Sequence, residues 1–233
     1  MTSQFNIDGE LARFSERAPL FPLPNIVFFP HTLLPLHIFE PRFRKMVADV
    51  IVSERLVAMA RLKPGWENIY EEKTAAIFNT VCVGRIEVQE RLPDERYNLI
   101  LRGVGRAEIL EEKQVDLPYR VAKLKLLEDH YPQHPVIDRN HRQRELLTAF
   151  YELYPVVNLG HVVHESLDTE IPLGQLCDVL AHSMKLETSA QEILDEVNVD
   201  LRSDLLLQRL RKQAANKKGS RATESFPPRF SLN

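Results

Sequence analysis

The feature that most constrains the fold is a proline-rich apolar stretch at residues 19–41, PLFPLPNIVFFPHTLLPLHIFEP. Six of the 15 prolines lie in it. A proline every few residues excludes a helix, and each proline also removes a donor from a strand ladder. The large apolar side chains between the prolines nevertheless require burial. The stretch therefore predicts several short, kinked strands inside a β-barrel or along its edge.

The hydrophobic period then becomes helical. A helix over 41–53 is predicted by apolar residues that share one face: Phe43, Met46, Val47, Val50 and Ile51. Pro41 suits the first helical position, where a missing N–H costs nothing. A short apolar strand is predicted at 56–60.

Residues 76–128 read as closely spaced strands separated by turns. We expect a bulge or close approach at Gly84, a turn at 92–95 and an acidic turn at Glu111-Glu112. Gly103-Val104-Gly105 lies between strands and indicates a turn or bulge. Strands at this spacing favour an antiparallel barrel or sandwich.

From about residue 138 the period is helical. Two apolar stripes are predicted to face a core, namely Leu146, Leu147, Phe150, Leu153 and Tyr154, and then Leu173, Leu176, Val179, Leu180 and Met184. Ser189 and Glu192 form a capping-box pattern, and Asn198 is placed to cap a last helix carrying Leu201, Leu205, Leu206 and Leu210. A β-rich half followed by a helical half predicts an α+β chain.

Composition and charge limit the classes of function. Of the 233 residues, 44% are hydrophobic and 27% charged, as in ordinary globular proteins. The formal net charge of −3 disfavours nucleic acid as a partner. Cys82 and Cys177 are far apart, which indicates two reduced, buried thiols in a cytoplasmic protein. The N-terminus has no apolar signal region and no run of 18 apolar residues occurs, so we expect no secretory signal and no membrane association.

Patterns of catalytic residues are missing from these 233 residues. There is no phosphate-binding P-loop, no G-x-S-x-G elbow, and no third glycine after Gly103 and Gly105. Three histidine pairs lack an obvious third metal ligand, so surface or loop histidines are the favoured interpretation: His31 and His37, His130 and His134, and His161 and His164 with the adjoining Glu165. We expect no enzyme activity, no cofactor and no metal.

Glu40 permits three interpretations. It could act as an acid or base, it could favour the helix N-terminus through the helix dipole, or it could pair with an arginine.

Residues 19–47, PLFPLPNIVFFPHTLLPLHIFEPRFRKMV, resemble the opening of the substrate-binding N-terminal domain of Lon-family ATP-dependent proteases. That family's pattern is roughly PLFPLPNxVLFPxxxLPLxIFEPRYxxMV. A second block, LPDERYN at 92–98, is similar to the family's LPDGRYN hairpin, with Glu95 in place of the usual glycine. The helical part is also similar, so that the resemblance extends over about 19–212.

The resemblance implies a PUA-like antiparallel β-barrel with one helix, followed by a C-terminal helical bundle. It also implies a substrate-recognition module without the ATPase and protease domains that lie further along full-length Lon. The expected organisation has a flexible arm at 1–18, a β domain at 19–130, a helical subdomain at 131–210 and a basic disordered tail at 211–233.

The expected function is non-catalytic binding of unfolded or extended protein segments, because a proline-rich strand edge can accept an added strand. A protease or chaperone is a further candidate partner, and the oligomeric state is left open. The alternatives are a PUA-like RNA-binding protein, or an adaptor subunit of an ATP-dependent protease. The candidate contact residues are apolar side chains of the proline-rich stretch, for which the competing interpretation is barrel core: Phe21, Leu23, Phe28, Phe29, Leu33, Leu36 and Phe39.

Overall fold

The computed structural model describes residues 14–70, 74–155, 171–184, 186 and 189–223. Its six strands are β1 (Arg17–Leu23), β2 (Leu33–Ile38), β3 (Leu56–Arg61), β4 (Thr80–Arg91), β5 (Tyr97–Lys113) and β6 (Arg120–Leu127). The five helices in these ranges are α1 (Pro41–Ile51), α2 (Arg139–Leu153), α3 (Leu173–Ser183), α4 (Ala190–Asp195) and α5 (Val199–Thr223).

The strands form one sheet in the order β2-β5-β4-β3-β1-β6, and β6 also pairs with β5. The ladder from β5 through β4, β3, β1 and β6 therefore returns to β5. The long strand β5 makes this possible, since its first part pairs with β2 and its last part with β6. This leaves β2 bonded to β5 alone, as an edge strand among the described residues.

One strand pair corrects the expectation of a purely antiparallel sheet. β1 and β3 run parallel, with Leu20 opposite Ala58 and Leu23 opposite Arg61. Parallel neighbours cannot be joined by a tight hairpin and need a long crossover. The segment that carries β2 and α1 provides this crossover.

Prolines are tolerated in β1 because the strand changes partners halfway. Its first half pairs with β6, where Pro19 lies opposite Val121, and its second half pairs with β3, where Pro22 lies opposite Ala60. Each proline thus has one ladder neighbour, and its missing N–H can lie on the unpaired side. β1 begins at Arg17, and the nearly inaccessible Ala18 is part of the core, so the predicted flexible arm is wrong at these two residues.

The predicted bulges are present in the β4–β5 pair. The register shifts between Val83 and Gly84, where Gly84 pairs with Gly103 and Val83 with Gly105, so that Val104 is the extra residue. A Cβ on Gly103 would lie 2.1 Å from the Phe29 carbonyl oxygen, which explains the glycine.

The predicted turn at Glu111-Glu112 is wrong. Both residues belong to β5, opposite Lys123 and Ala122 of β6. The Glu112 carboxylate accepts hydrogen bonds from Arg120, and Glu111 pairs with Lys113, so cross-strand and local cations stabilise the acidic pair in the strand.

The helices bury the predicted apolar stripes. In α1, the buried residues are Phe43, Met46, Val47 and Val50. In α2 they are Leu146, Phe150 and Leu153, and the Asp138 carboxylate accepts from the His141 N–H to cap the helix. These side chains belong to the same core cluster as Ile86 of β4 and Leu101 of β5. The helical half thus packs directly on the strand half.

The two predicted helix caps have different outcomes. The Asn198 side chain accepts from the N–H groups of Asp200 and Leu201, which confirms that cap. The capping box at Ser189 is wrong, because its hydroxyl donates to the Leu186 carbonyl and Glu192 pairs with Arg209.

The stripe of the last helix and the predicted tail also need correction. Leu201 is half exposed, and Leu207 is buried in its place. α5 continues past residue 210 to Thr223, so the predicted disorder is wrong for 211–223. Ala214 packs on the core cluster, and Gln213 accepts from the Tyr154 hydroxyl at 2.8 Å, which holds this part of the helix. The remaining residues of the predicted tail lie outside the described part of the chain.

A buried ion-pair network joins the sheet to the helices. Arg106 of β5 makes two hydrogen bonds to the Asp178 carboxylate of α3, one of them at 2.9 Å. Arg202 of α5 bonds both oxygens of Asp129, which follows β6, at 2.5 and 3.1 Å. Burial would raise the pKa of the Asp129 carboxyl, but the hydrogen bonds and charge of Arg202 outweigh burial and hold this pKa below its usual value.

Candidate functional site

Three of the predicted contact residues lie in the core. Phe21 is 4% exposed, and Phe28 and Phe29 are each 1% exposed. The Phe21 ring packs against Phe43 of α1, with 4.3 Å between centroids. These three phenylalanines therefore occupy core positions, as the competing interpretation expects.

The other predicted contact residues lie at or near the surface. Leu33 is 51% exposed and Phe39 is 61% exposed, whereas Leu23 and Leu36 are half-buried against the core. Leu33, Leu36 and Phe39 all belong to edge strand β2 or adjoin its end. The structure therefore brings together at β2 three of the four candidates that solvent can reach, and leaves Leu23 apart at the end of β1.

The apolar surface continues from β2 across two more strands. Pro35 of β2 lies opposite Ile100 of β5, and Ile100 lies opposite Val88 of β4. Val88 is 53% exposed. We call Leu33, Pro35, Phe39, Val88 and Ile100 the apolar face. A groove of about 440 Å³ on it is lined by Pro35, Leu36, His37, Val88, Glu90, Asn98, Leu99 and Ile100.

Val88 and Ile100 were not predicted as site residues. The alternation of Tyr97, Leu99 and Leu101 toward the core implied that Ile100 faces the other way, and this was the available signal. Their contact with β2 depends on strand register, which the sequence pattern did not specify.

A row of polar side chains lies between Phe39 and the rest of the apolar face. The His37 ring nitrogen Nδ1 lies 2.8 Å from Asn98 Oδ1, and the Asn98 amide donates to Glu90 Oε2 at 2.9 Å. Arg96 Nη1 lies 3.2 Å from His37 Nε2. We call Arg96, His37, Asn98 and Glu90 the polar row. It crosses all three strands, two residue pairs further along the ladder than Pro35, Ile100 and Val88.

An ion pair lies on the other side of Pro35, Ile100 and Val88 from the polar row. Arg102 Nε lies 2.9 Å from Glu87 Oε1, beside Leu33. In the hairpin turn, Glu95 has a φ of 67°, which is the left-handed backbone that favours glycine. Pro35, Ile100 and Val88 therefore lie between the polar row and the ion pair of Arg102 with Glu87.

Both cysteines and some of the histidines singled out in the sequence lie in the described part of the chain. His161, His164 and Glu165 lie outside the described residues. Within the described ranges no cluster of three metal-ligating side chains occurs. Cys82 and Cys177 are buried and free, as predicted, and burial raises the pKa of both thiols.

Glu40 pairs with an arginine, which was one of its three predicted interpretations. Arg42 lies 2.8 Å from the Glu40 carboxylate, and the Tyr70 hydroxyl donates to the same carboxylate at 2.9 Å. Burial, together with this hydrogen bond, raises the pKa of Tyr70 to about 12. The Glu40 side chain makes no cap hydrogen bond to α1.

The fold is a single mixed sheet packed against helices, and comparison with known proteins gives its family. The model of the ATP-dependent protease La (LON) substrate-binding domain matches residues 17–212. The chain belongs to this family. The matching model is that of the substrate-binding domain and not of a catalytic domain.

Two curated relatives agree with this family assignment. The chain is 26% identical over 203 residues to Lon protease of Anaeromyxobacter dehalogenans, covering 84% of this chain and 23% of that protein. It is 25% identical over 187 residues to Lon protease of Dictyoglomus thermophilum, covering 79% and 23%. The chain thus spans about a quarter of the length of these relatives.

Two solved structures share the fold. The Lon N-terminal domain protein from Xanthomonas campestris matches with a TM-score of 0.59 and 21% identity, covering 82% of this chain and 97% of that one. The N-terminal domain of Mycobacterium avium complex Lon protease matches with a TM-score of 0.58 and 14% identity, covering 84% and 98%. Among the described residues, no helix is both long and apolar enough to cross a membrane.

Proposed function

We propose that this chain binds unfolded or extended protein segments through the apolar face. The observation that carries the proposal is a strip of exposed Pro35 and Val88 and half-buried Ile100, which begins at edge strand β2, in a chain of a substrate-binding family. Exposed apolar side chains gathered in one place mark interaction surfaces. Leu33 and Phe39 extend the strip along β2.

The chemistry of the face suits a weak and unselective binder. Each apolar side chain that a ligand buries contributes about 1.5–3 kcal/mol, and ordering of the ligand offsets part of this. Two or three such anchors leave a Kd in the micromolar to millimolar range, about −8 to −4 kcal/mol. Pro35 has no N–H to offer at the strand edge, so side-chain contacts contribute more than added strand pairing.

The proposal contains no catalytic step. The captured segment would be received by a protease or a chaperone, because the curated relatives are named Lon proteases. Two buried free thiols suit a reducing compartment, so we place this activity in the cytoplasm.

We also propose finer assignments for the fold. The ring of paired strands would be a PUA-like barrel, since β6 bonds to both β1 and β5. Helices α2, α3 and α5 would form the C-terminal bundle, with the division near residue 131. The contact of Arg142 in α2 with Ser203 in α5, at 3.0 Å, supports this grouping.

The test compares two exposed valines. Val88→Asp places a charge in the apolar face, and Val136→Asp makes the same change at a valine that is 98% exposed and does not line the groove. Binding of a fluorescent unfolded protein segment should weaken about tenfold or more for Val88→Asp, because one anchor is lost and a charge is added. Val136→Asp should bind like the wild type. Equal binding by both variants contradicts the proposal.

A further inference from the structure

The polar row has a defined hydrogen-bond direction. A guanidinium has only donors, so Arg96 donates to Nε2 of His37. The other ring nitrogen, Nδ1, then carries the hydrogen of the neutral ring and donates to Asn98 Oδ1. The Asn98 amide N–H in turn donates to Glu90. The chain of bonds runs from a cation to an anion across three strands.

This direction requires a neutral His37. If the ring gains a proton, it is placed on Nε2, where it faces the Arg96 guanidinium at 3.2 Å. The acceptor for Arg96 disappears and two cations meet. Histidine is the side chain that ordinarily changes charge between about pH 5 and pH 8. The row thus has two states, which differ by one positive charge beside the apolar face.

The carboxylates around His37 already have partners, and Glu95 of the hairpin turn is paired with Arg44 and Arg91. Arg96 is already paired with Asp94 at 2.5 Å, and Arg44 of α1 bonds the Asp94 carbonyl oxygen. Glu90 is separated from His37 by the Asn98 amide. Phe39 stacks on the His37 ring with 6.3 Å between centroids, so the added charge lies against the exposed end of the apolar face.

We propose that His37 sets the charge selectivity of the apolar face. This inference rests on the proposed function. With His37 neutral, the charges of the row are tied to each other and the face prefers uncharged apolar segments. With His37 protonated, a segment that carries an acidic side chain next to its apolar residues gains a cationic partner.

The experiment uses two unfolded peptides of identical apolar sequence, one with Asp and one with Asn at the flanking position. Asp, whose ordinary pKa is about 3.9, stays ionised at both about pH 8 and about pH 5.5. The affinity for the Asp peptide relative to the Asn peptide should rise about two- to fivefold on acidification. This is the change in affinity that one exposed charge pair typically contributes. His37→Gln should abolish this change, and His134→Gln, at an exposed histidine away from the groove, should retain it.

Nitrogen-15 NMR of the His37 ring gives a second readout that needs no peptide. The neutral ring should carry its hydrogen on Nδ1. Finding it on Nε2 overturns the inference, and so does an affinity ratio that is independent of pH although both peptides bind. If neither peptide binds at either pH, the proposed function itself fails and the inference falls with it.

Discussion

At the residue scale, four charged side chains join the two halves of the molecule. Arg202 is inaccessible to solvent, Asp178 likewise, and Arg106 is 3% exposed. Two arginines and two aspartates balance in charge, which makes burial tolerable because every ion has a partner. The same balance makes the network sensitive to the loss of any one member.

Replacing Asp178 tests this sensitivity. Asp178→Asn leaves Arg106 and Arg202 with Asp129 as their remaining anionic partner, and removing one member of a buried ion pair costs about 3–5 kcal/mol. The free energy of unfolding, measured in urea, should fall by that amount. Glu111→Gln, at a carboxylate whose side chain is 60% exposed, should change it little. Equal stability of the two variants contradicts the role of the network.

Two histidines near the core predict the pH dependence of stability. Burial lowers the pKa of His31 and of His182 below the ordinary value of 6.5. The unfolded chain therefore binds these protons more readily than the folded one, and the stabilisation is complete above pH 6.5 and lost as the pH falls through the folded values. Asp129, whose pKa is lowered from 3.8, loses its contribution only at lower pH.

Urea unfolding at several pH values measures this effect. The free energy of unfolding of the wild type should decline as the pH falls below 6.5. The decline should be shallower in His31→Gln, since one of the two contributing imidazoles is gone. A wild-type stability that does not change between pH 6.5 and about pH 5 would refute this prediction.

The site residues show what a sequence pattern can specify for single side chains. Alternation in β2 predicts that Leu33, Pro35 and His37 share a face, but not that this face is exposed. Phe28, Phe29 and Phe39 lie in the same proline-rich apolar stretch, yet only Phe39 is exposed. Phe28 and Phe29 lie in the core because their loop passes beneath β5, where Gly103 leaves room for the Phe29 backbone. Exposure depends on neighbouring strands that are distant in sequence.

At the element scale, α5 differs most from the structure that its sequence predicts. A run with six basic residues and one acidic after residue 210 has the composition of a solvated tail. The packing of Ala214 and the hydrogen bond between Tyr154 and Gln213 keep it helical. Tertiary contacts to α2, which composition does not reveal, therefore decide the structure of residues 211–217.

Two adjacent alanines test the helical continuation. Ala214 packs on the core cluster, and Ala215 is exposed. Ala214→Asp should reduce the free energy of unfolding by about 1–3 kcal/mol, because a polar group is forced into an apolar contact. Ala215→Asp should have an effect of about 0.5 kcal/mol or less. In a disordered tail the two substitutions would be equivalent, and that result would contradict the helix.

At the scale of the whole molecule, the β-then-α order followed from hydrophobic period alone, and the long motif at 19–47 indicated the family. The partners of each strand did not follow. The parallel contact between β1 and β3 and the double pairing of β6 arise from chain crossovers, which local sequence does not encode. The apolar face is assembled by those same pairings from β2, β4 and β5, so it became visible only in three dimensions.

The most direct test of the central claim is an NMR titration of the whole chain with an unfolded apolar peptide. The backbone amide shifts should change most at β2 and Phe39, around Val88, and at 98–100, and should saturate at micromolar to millimolar peptide. Residues near Val136 should not respond. Shifts confined to other surfaces, or none at millimolar peptide, would contradict binding at the apolar face.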